Sequence, residues 1–340
     1  MTRLGLMLQF AACALLIARA GFVLSRSSSR LAELHGWSPG WVGLALLATI
    51  TSLPELASGI SAVAIVGAPN LAVGNALGAC VVNLAFLVIV DALRRDLPMY
   101  REARSTHLLS AGFGVVMLGF VAMSLVVGTR APAVLHVGLY SPVLLVFYLL
   151  ALRAVFAHER TATGVPAPAV GADAAAPFDR LAARREWIRV AAAAIVVLVA
   201  GLWLPAVAES LAQAFGVSRS FVGTVLMAGV TTLPEMAVTL SALRLGALDM
   251  AIGNLLGSNL FNVLVLAVDD AFYVRGPLLA EVSPVHLGTA VSSMVMTGLV
   301  IVGLVMRPQG RVLRTASWVS VGLAAAYLLN ASLAFLTAST

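Results

Sequence analysis

Two glutamates stand where acids are costly. Glu55 and Glu235 lie deep inside apolar segments, each closing one of two nearly identical pentapeptides, Thr51-Ser52-Leu53-Pro54-Glu55 and Thr231-Thr232-Leu233-Pro234-Glu235. An ionisable side chain at membrane depth marks a functional site by default. Within a helix a proline lacks its N–H and crowds the carbonyl four residues earlier, so Pro54 is expected to free the oxygen of Ile50 and Pro234 that of Val230. Irregular backbone at that depth survives only where it is buried in protein or lines a watery cavity. Thr51 and Glu55, like Thr231 and Glu235, are four residues apart, which sets hydroxyl and carboxylate on one helix face beside the freed carbonyl.

A second block is also doubled. Asn75, Ala79 and Asn83 repeat at a spacing of four, as do Asn254, Ser258 and Asn262, giving one polar stripe per copy. Gly74 with Gly78, and Gly253 with Gly257, supply the small-residue spacing that lets helices approach closely. Carboxylates, amides, hydroxyls and carbonyls form an all-oxygen set. Such a set suits a hard cation, Ca²⁺ best, and not zinc or copper, whose Cys and His ligands are missing. Two glutamates brought together repel when empty. One divalent ion neutralises both, whereas monovalent ions do so one charge at a time, so exchange of Ca²⁺ for several Na⁺ or H⁺ follows from charge balance.

The elements that hold these residues must be membrane helices. The chain is 61% hydrophobic and 11% charged, with a mean hydropathy of +1.00, which excludes an ordinary soluble domain. Apolar runs able to cross a core of about 30 Å are expected near 4–32, 40–66, 71–92, 107–128, 132–156, 187–213, 220–245, 249–271, 284–306 and 312–337. The first is read as a true span and not a cleaved signal, because Gly21, Leu24, Leu31 and Ala32 align with Gly201, Leu204, Leu211 and Ala212. That offset of 180 also relates Glu55 to Glu235, and an offset of 179 relates Asn75, Asn83, Asp91 and His107 to Asn254, Asn262, Asp270 and His286.

The expected fold is therefore an all-α membrane protein of ten transmembrane helices, built as two five-helix repeats, 1–157 and 187–340, joined by a linker at 158–186. Five is odd, so the copies have inverted topology. Arginine placement agrees: with the N-terminus outside, inner loops hold sixteen arginines (Arg26, Arg30, Arg94, Arg95, Arg101, Arg104, Arg153, Arg160, Arg180, Arg184, Arg185, Arg189, Arg244, Arg307, Arg311, Arg314) and outer ones four (Arg3, Arg130, Arg219, Arg275). Both termini are thus expected outside and the linker in the cytoplasm, in a multi-pass cell (inner) membrane protein. The net charge of +6 follows from this bias and calls for no nucleic-acid partner.

The linker, with Gly164-Val165-Pro166-Ala167-Pro168 and Ala174-Ala175-Ala176-Pro177, reads as a flexible tether, and Asp173 and Asp179 are not arranged as a calcium loop. Cys13 and Cys80 fall inside spans, and no disulfide is expected. Trp37, Trp41 and Trp187 read as interfacial anchors. Asp91, Asp269 and Asp270 read as solvated helix ends, and His107 and His286 as interfacial residues. Arg19 is expected to snorkel to the interface.

The paired blocks, Thr-Ser-Leu-Pro-Glu with Gly-Asn…Gly-Ser-Asn…Asn, resemble the two alpha-repeats of the calcium/cation antiporter superfamily, most closely its sodium/calcium exchanger branch of prokaryotic type. The resemblance covers nearly the whole chain. It implies an integral-membrane antiporter, not an enzyme, that exchanges Ca²⁺ for Na⁺ by alternating access without a cofactor. Its partners would be inorganic cations and the bilayer, with a monomer as the expected unit. It implies Glu55 and Glu235 as calcium ligands, Thr51 and Thr231 as oxygen donors to both ions, and Ser52, Thr232 and Ser258 as sodium ligands. Asn83 and Asn262 would sit at the centre, and the first and sixth helices would slide as a pair. Gly78-Ala79-Cys80 departs from the pattern, removing a hydroxyl expected at a sodium site, so Ca²⁺/H⁺ exchange is the alternative. Asn262, where potassium-dependent members carry aspartate, argues against potassium. A channel, an intramembrane enzyme and a receptor or scaffold that binds ions without moving them are the readings from other classes; flux measurement separates the third from transport. Inverted halves disfavour the first, and the lack of a Ser/His or metal-binding His cluster disfavours the second.

Overall fold

A computed structural model describes residues 2–35, 47–94, 98–130, 132–163, 179–312 and 316–337. Trp37, Trp41, Arg95, Arg314, Asp173 and the linker interior 164–178 lie outside the described residues. The protein is mostly helical. In chain order the main helices are α1 (Arg3–His35), α2 (Leu53–Ile60), α3 (Pro69–Leu93), α4 (Thr106–Val127), α5 (Tyr140–Thr163), α6 (Arg180–Phe215), α7 (Leu233–Arg244), α8 (Leu248–Phe272), α9 (Val285–Met306) and α10 (Trp318–Leu336). Among the described residues eight are long and apolar enough to cross a membrane. Counting the bent pair Arg219–Thr231 and Leu233–Arg244 as one span gives nine, and the apolar stretch Leu53–Val66 is shorter.

α3 and α8 form the centre. Both are mainly apolar apart from their polar stripe, and they are buried along most of their length, as such helices must be when other helices surround them. α1 and α6 run antiparallel at one side: Leu6 packs on Val207 and Leu211, while Ala20 and Leu24 pack on Ala193 and Val197. Asp179 caps α6 by accepting the N–H groups of Leu181 and Ala182, and Gly216, at φ 67°, ends it in the left-handed conformation that glycine takes freely. Leu15, Val199 and Leu328 point outward, as a lipid-facing surface requires.

The two short helices that carry the repeated pentapeptide are each preceded by a broken stretch. Ala48–Thr51 stops at Ser52 and α2 resumes at Leu53; Ala228–Thr231 stops at Thr232 and α7 resumes at Leu233, with a bend of 41° in the second case. Pro54 and Pro234 therefore fall in a first helical turn, where a missing N–H leaves no bond unmade. Single π-helical stretches, Ser61–Val66 after α2 and Val222–Met227 before Ala228, add further irregularity.

Several expectations need correction. The segment expected at 132–156 opens with a hairpin, Ala133–Val134 paired to Val137–Gly138, so α5 starts only at Tyr140; α10 likewise starts at Trp318 and not at 312. The reason lies in two buried aspartates that hold these entries. Asp91 accepts the N–H of Met99 (2.9 Å), the N–H of Ser317 (2.7 Å) and the Ser320 hydroxyl (2.7 Å). Asp270 accepts the N–H of Leu278 (2.7 Å), the N–H of Gly138 (2.8 Å), the Ser141 hydroxyl (2.5 Å) and the Tyr140 hydroxyl (2.6 Å). Met99 and Leu278, Gly138 and Ser317, and Ser141 and Ser320 are each 179 residues apart, as are the two acids. Neither acid is a solvated helix end. The linker's ends are helical, since α5 runs to Thr163 and α6 begins at Arg180.

His107 and His286 are buried in the protein. His107 Nε2 lies 3.0 Å from Asp249 Oδ1, and His286 Nε2 lies 3.1 Å from Asn70 Oδ1 and 3.3 Å from the Ser220 hydroxyl. Asn70 and Asp249 are again 179 apart. Each histidine thus ties α4 or α9 to the start of a central helix.

Candidate functional site

The chain breaks bring both pentapeptides to the middle of the bundle. Glu55, Glu235, Thr51, Thr231, Ser52 and Thr232 are all fully buried, as are Asn83, Ser258 and Asn262 on the central helices. Each glutamate sits in the first turn of its helix, so the free N–H groups at that end favour its negative charge. The Ile50 and Val230 carbonyls face the N–H groups of Ser52 and Thr232, two residues on, which also reach Ala48 and Ala228. Those two oxygens thus sit at the breaks without a helical partner from Pro54 or Pro234.

The two halves interlock through polar side chains. The Ser52 hydroxyl donates to Glu235 Oε1 at 2.8 Å, and Thr51 stands beside the same carboxylate. Thr231 stands beside Glu55 and donates to Asn75 Oδ1 at 3.1 Å. Thr51 and Thr232 also donate to carbonyls in their own helices, those of Leu47 (2.9 Å) and Ala228 (2.8 Å). Asn75 Nδ2 donates to Ser58 (2.9 Å), and Asn254 Nδ2 to Thr239 (3.3 Å) and to the Glu235 carbonyl (3.3 Å).

What remains unbonded defines the site. Both oxygens of Glu55, Oε2 of Glu235, Oδ1 of Asn83, Oδ1 of Asn254, the Ser258 hydroxyl and both polar atoms of Asn262 are buried without a hydrogen-bond partner. An orphaned buried polar atom costs about 1–3 kcal/mol, and a bare carboxylate more. A cluster of such atoms in one place is an excess of acceptors over donors. A hard cation that binds oxygens satisfies that excess, and the chemistry of the donor set fits one. Among the described residues no three His, Cys, Asp or Glu side chains gather as a metal centre, so amides and hydroxyls must supply the remaining ligands.

Close backbone approach holds the cluster shut. Gly21 of α1 lies against Pro234, and Gly201 of α6 lies against Pro54 and Ala57, so each long helix presses a glycine onto one proline break. Gly78 meets Thr224 and Ala228 just as tightly. A cavity of about 1130 Å³ opens at one end of the bundle, beside Arg26, Arg30, Arg189 and Arg244, and one of about 550 Å³ at the other, beside Asn70, Gln213 and Ser220. The glutamates line neither.

Sequence reasoning missed Asn259. Its amide accepts from Asn83 Nδ2 (3.1 Å) and donates to the Cys80 carbonyl (3.2 Å), while Cys80 Sγ faces the Asn259 carbonyl at 3.7 Å. Asn259 and Cys80 occupy matching positions in the duplicated sequence, 179 apart. The mismatch explains an asymmetry. Asn83 has an amide partner in Asn259, whereas Asn262 keeps both polar atoms bare, and the position matching Asn259 in the first half is Cys80, which carries no amide. The signal was present in Gly257-Ser258-Asn259 set against Gly78-Ala79-Cys80.

Comparison with known proteins places this geometry. The inner membrane protein YrbG of Escherichia coli K12 is 27% identical over 293 residues, covering 84% of each chain. The sodium/calcium exchanger MaX1 of Methanosarcina acetivorans is 26% identical over 275 residues, covering 73% of this chain and 77% of that one. A solved structure of the sodium-calcium exchanger NCX_Mj, soaked with Na⁺ and Sr²⁺, superposes with a TM-score of 0.66 at 19% identity, covering 97% of this chain and 99% of that one. It shares the fold. The family model described as "Sodium/calcium exchanger protein" matches residues 5–156 and 186–334. These two stretches carry both pentapeptides and nearly the whole helical bundle, and the chain is a membrane transporter that belongs to the sodium/calcium exchanger protein family.

Proposed function

We propose that the protein is a Na⁺/Ca²⁺ antiporter working by alternating access at the central oxygen cluster. The observation that carries this reading is the pair of buried glutamates, one from each half, whose oxygens are left largely without donors while hydroxyls of the opposite half stand beside them. Ca²⁺ takes six to eight oxygen ligands, carboxylates foremost, and Glu55 and Glu235 would neutralise it. Thr51, Thr231, the Ile50 and Val230 carbonyls and Asn83 and Asn262 would complete its shell. Ser52, Thr232 and Ser258 would serve Na⁺ when Ca²⁺ leaves. The same reading has ten transmembrane helices in two inverted five-helix repeats, 1–157 and 187–340, with the linker 158–186 in the cytoplasm and both termini outside.

Contacts support that topology. Arg94 pairs with Glu102 and Arg104 with Asp249, all on the side assigned to the cytoplasm. Arg3 bonds the Ala214 carbonyl and Arg219 pairs with Glu209 on the other. Residues assigned to one side are thus neighbours. No cofactor enters the reading, the unit is a monomer, and the cell membrane is its place.

Ca²⁺/H⁺ exchange is the second reading, favoured by one observation: Ala79 stands fully buried where the matching Ser258 offers a hydroxyl. The deciding experiment is ⁴⁵Ca²⁺ uptake into proteoliposomes driven by an outward Na⁺ gradient, beside the same assay driven by H⁺. Uptake with Na⁺ alone supports the first reading, uptake with H⁺ alone the second, and uptake with neither refutes both.

A further inference from the structure

Asp269 is an acid that the central cluster does not use. It is fully buried, and neither carboxylate oxygen has a hydrogen-bond partner, in contrast to Asp270 beside it, which accepts four bonds. Among the described residues no arginine is ion-paired with it. A buried ionised carboxylate with no donor and no counter-charge is costly, so this acid must be neutralised where it stands, by a proton or by a bound cation.

Its position shows where that ligand would come from. The carboxylate presses on Gly59 of α2: a Cβ added there would collide with both oxygens and lie 2.7 Å from Cγ. Gly59 is four residues past Glu55, hence one turn further along the same helix face. On α8, Asp269 is seven residues past Asn262, two turns or about 10 Å along the same face. The carboxylate therefore extends both walls of the central cluster in one direction, towards the end of the bundle where Arg275 lies against Gly67.

The duplication provides an internal control. The position matching Asp269 is Val90, and the one matching Gly59 is Thr239. Val90 is a buried apolar residue, and Thr239 spends its hydroxyl on Asn254. The path in the opposite direction has no acid at the equivalent point. Acid and glycine occur together, on one side only.

We propose that Asp269 is an auxiliary cation-binding group, seated against Gly59 one turn from Glu55, that gives the pathway a second stop for a hard cation on one side of the central cluster and none on the other. The proposal rests on the transport reading for its place along a path, but not for its chemistry. The test is equilibrium binding of millimolar ⁴⁵Ca²⁺ to the purified full-length protein in detergent, with folding checked by gel filtration. Four forms are compared: wild type, Glu55→Gln/Glu235→Gln, the same pair with Asp269→Asn, and the same pair with Gly59→Ala. The double variant is expected to lose the tight component and keep a weak one. Asp269→Asn should remove that weak component, and so should Gly59→Ala, which keeps the Asp269 charge but fills its seat. Weak binding unchanged by both additions, or no weak binding left in the double variant, overturns the proposal. A double variant that binds like wild type instead refutes the central site, and the effect of Asp269→Asn in that background still decides the auxiliary one.

Discussion

Replacing Asp270 by asparagine should cost far more than replacing Asp269, although the two are adjacent, equally buried and in one helix. Asp270 accepts two donors on each oxygen: the Tyr140 hydroxyl and Leu278 N–H on Oδ1, and Gly138 N–H and the Ser141 hydroxyl on Oδ2. An amide keeps one accepting oxygen and turns an N–H₂ toward the other pair. The hydroxyl of that pair can turn to accept from the amide, but the N–H of Gly138 or of Leu278 is left facing another donor. The loss is about 1–3 kcal/mol, at the junction of the hairpin, the start of α5 and the segment at Leu278. Asp269 has no donor to lose, so its amide should leave stability unchanged or raise it. The assay is the apparent melting midpoint of each variant in one detergent, read by the fraction surviving gel filtration after heating. Asp270→Asn should melt well below wild type and Asp269→Asn at or above it. Equal midpoints, or the reverse order, would refute the account of how these acids are satisfied.

Other consequences are as direct. Gly21→Ala and Gly201→Ala each put a methyl against a proline break, on Pro234 and on Pro54 with Ala57; each should destabilise by about 1–3 kcal/mol and reduce flux, while Gly288→Ala, with open space around it, should do neither. Ala79→Ser restores the hydroxyl present at Ser258 and should lower the Na⁺ concentration needed for half-maximal exchange; an unchanged value would put position 79 away from the Na⁺ pathway. Cys80→Asn offers Asn262 the amide that Asn259 gives Asn83, and should slow Ca²⁺ release by tying down a free ligand. Release as fast as in wild type would count against Asn262 as a ligand.

The central pair was legible because membrane burial of an acid is rare and its duplication rarer still. Glu55 and Glu235 needed only spacing and hydropathy. Eight of the helix positions were legible for the same reason: a core of fixed thickness imposes a minimum apolar length. Tertiary hydrogen bonds were not legible. Asp91 looked like a helix end because its partners Ser317 and Ser320 are more than two hundred residues away. Segment starts at 132 and 312 were placed too early because hydropathy cannot see a hairpin held by Asp270, or an approach to α10 held by Asp91. Asn259 was passed over because the stripe at a spacing of four skips it. It works from the neighbouring face, against the other central helix.

The central claim is that one ion site is shared by the glutamates of both halves. The most direct measurement is Na⁺-gradient-driven ⁴⁵Ca²⁺ uptake by proteoliposomes containing wild type, Glu55→Gln or Glu235→Gln protein, with equal incorporation confirmed. The account predicts uptake by wild type and none above empty liposomes by either variant, since a divalent ion facing a single carboxylate is left under-neutralised in a buried site. Wild-type uptake by either variant would contradict it.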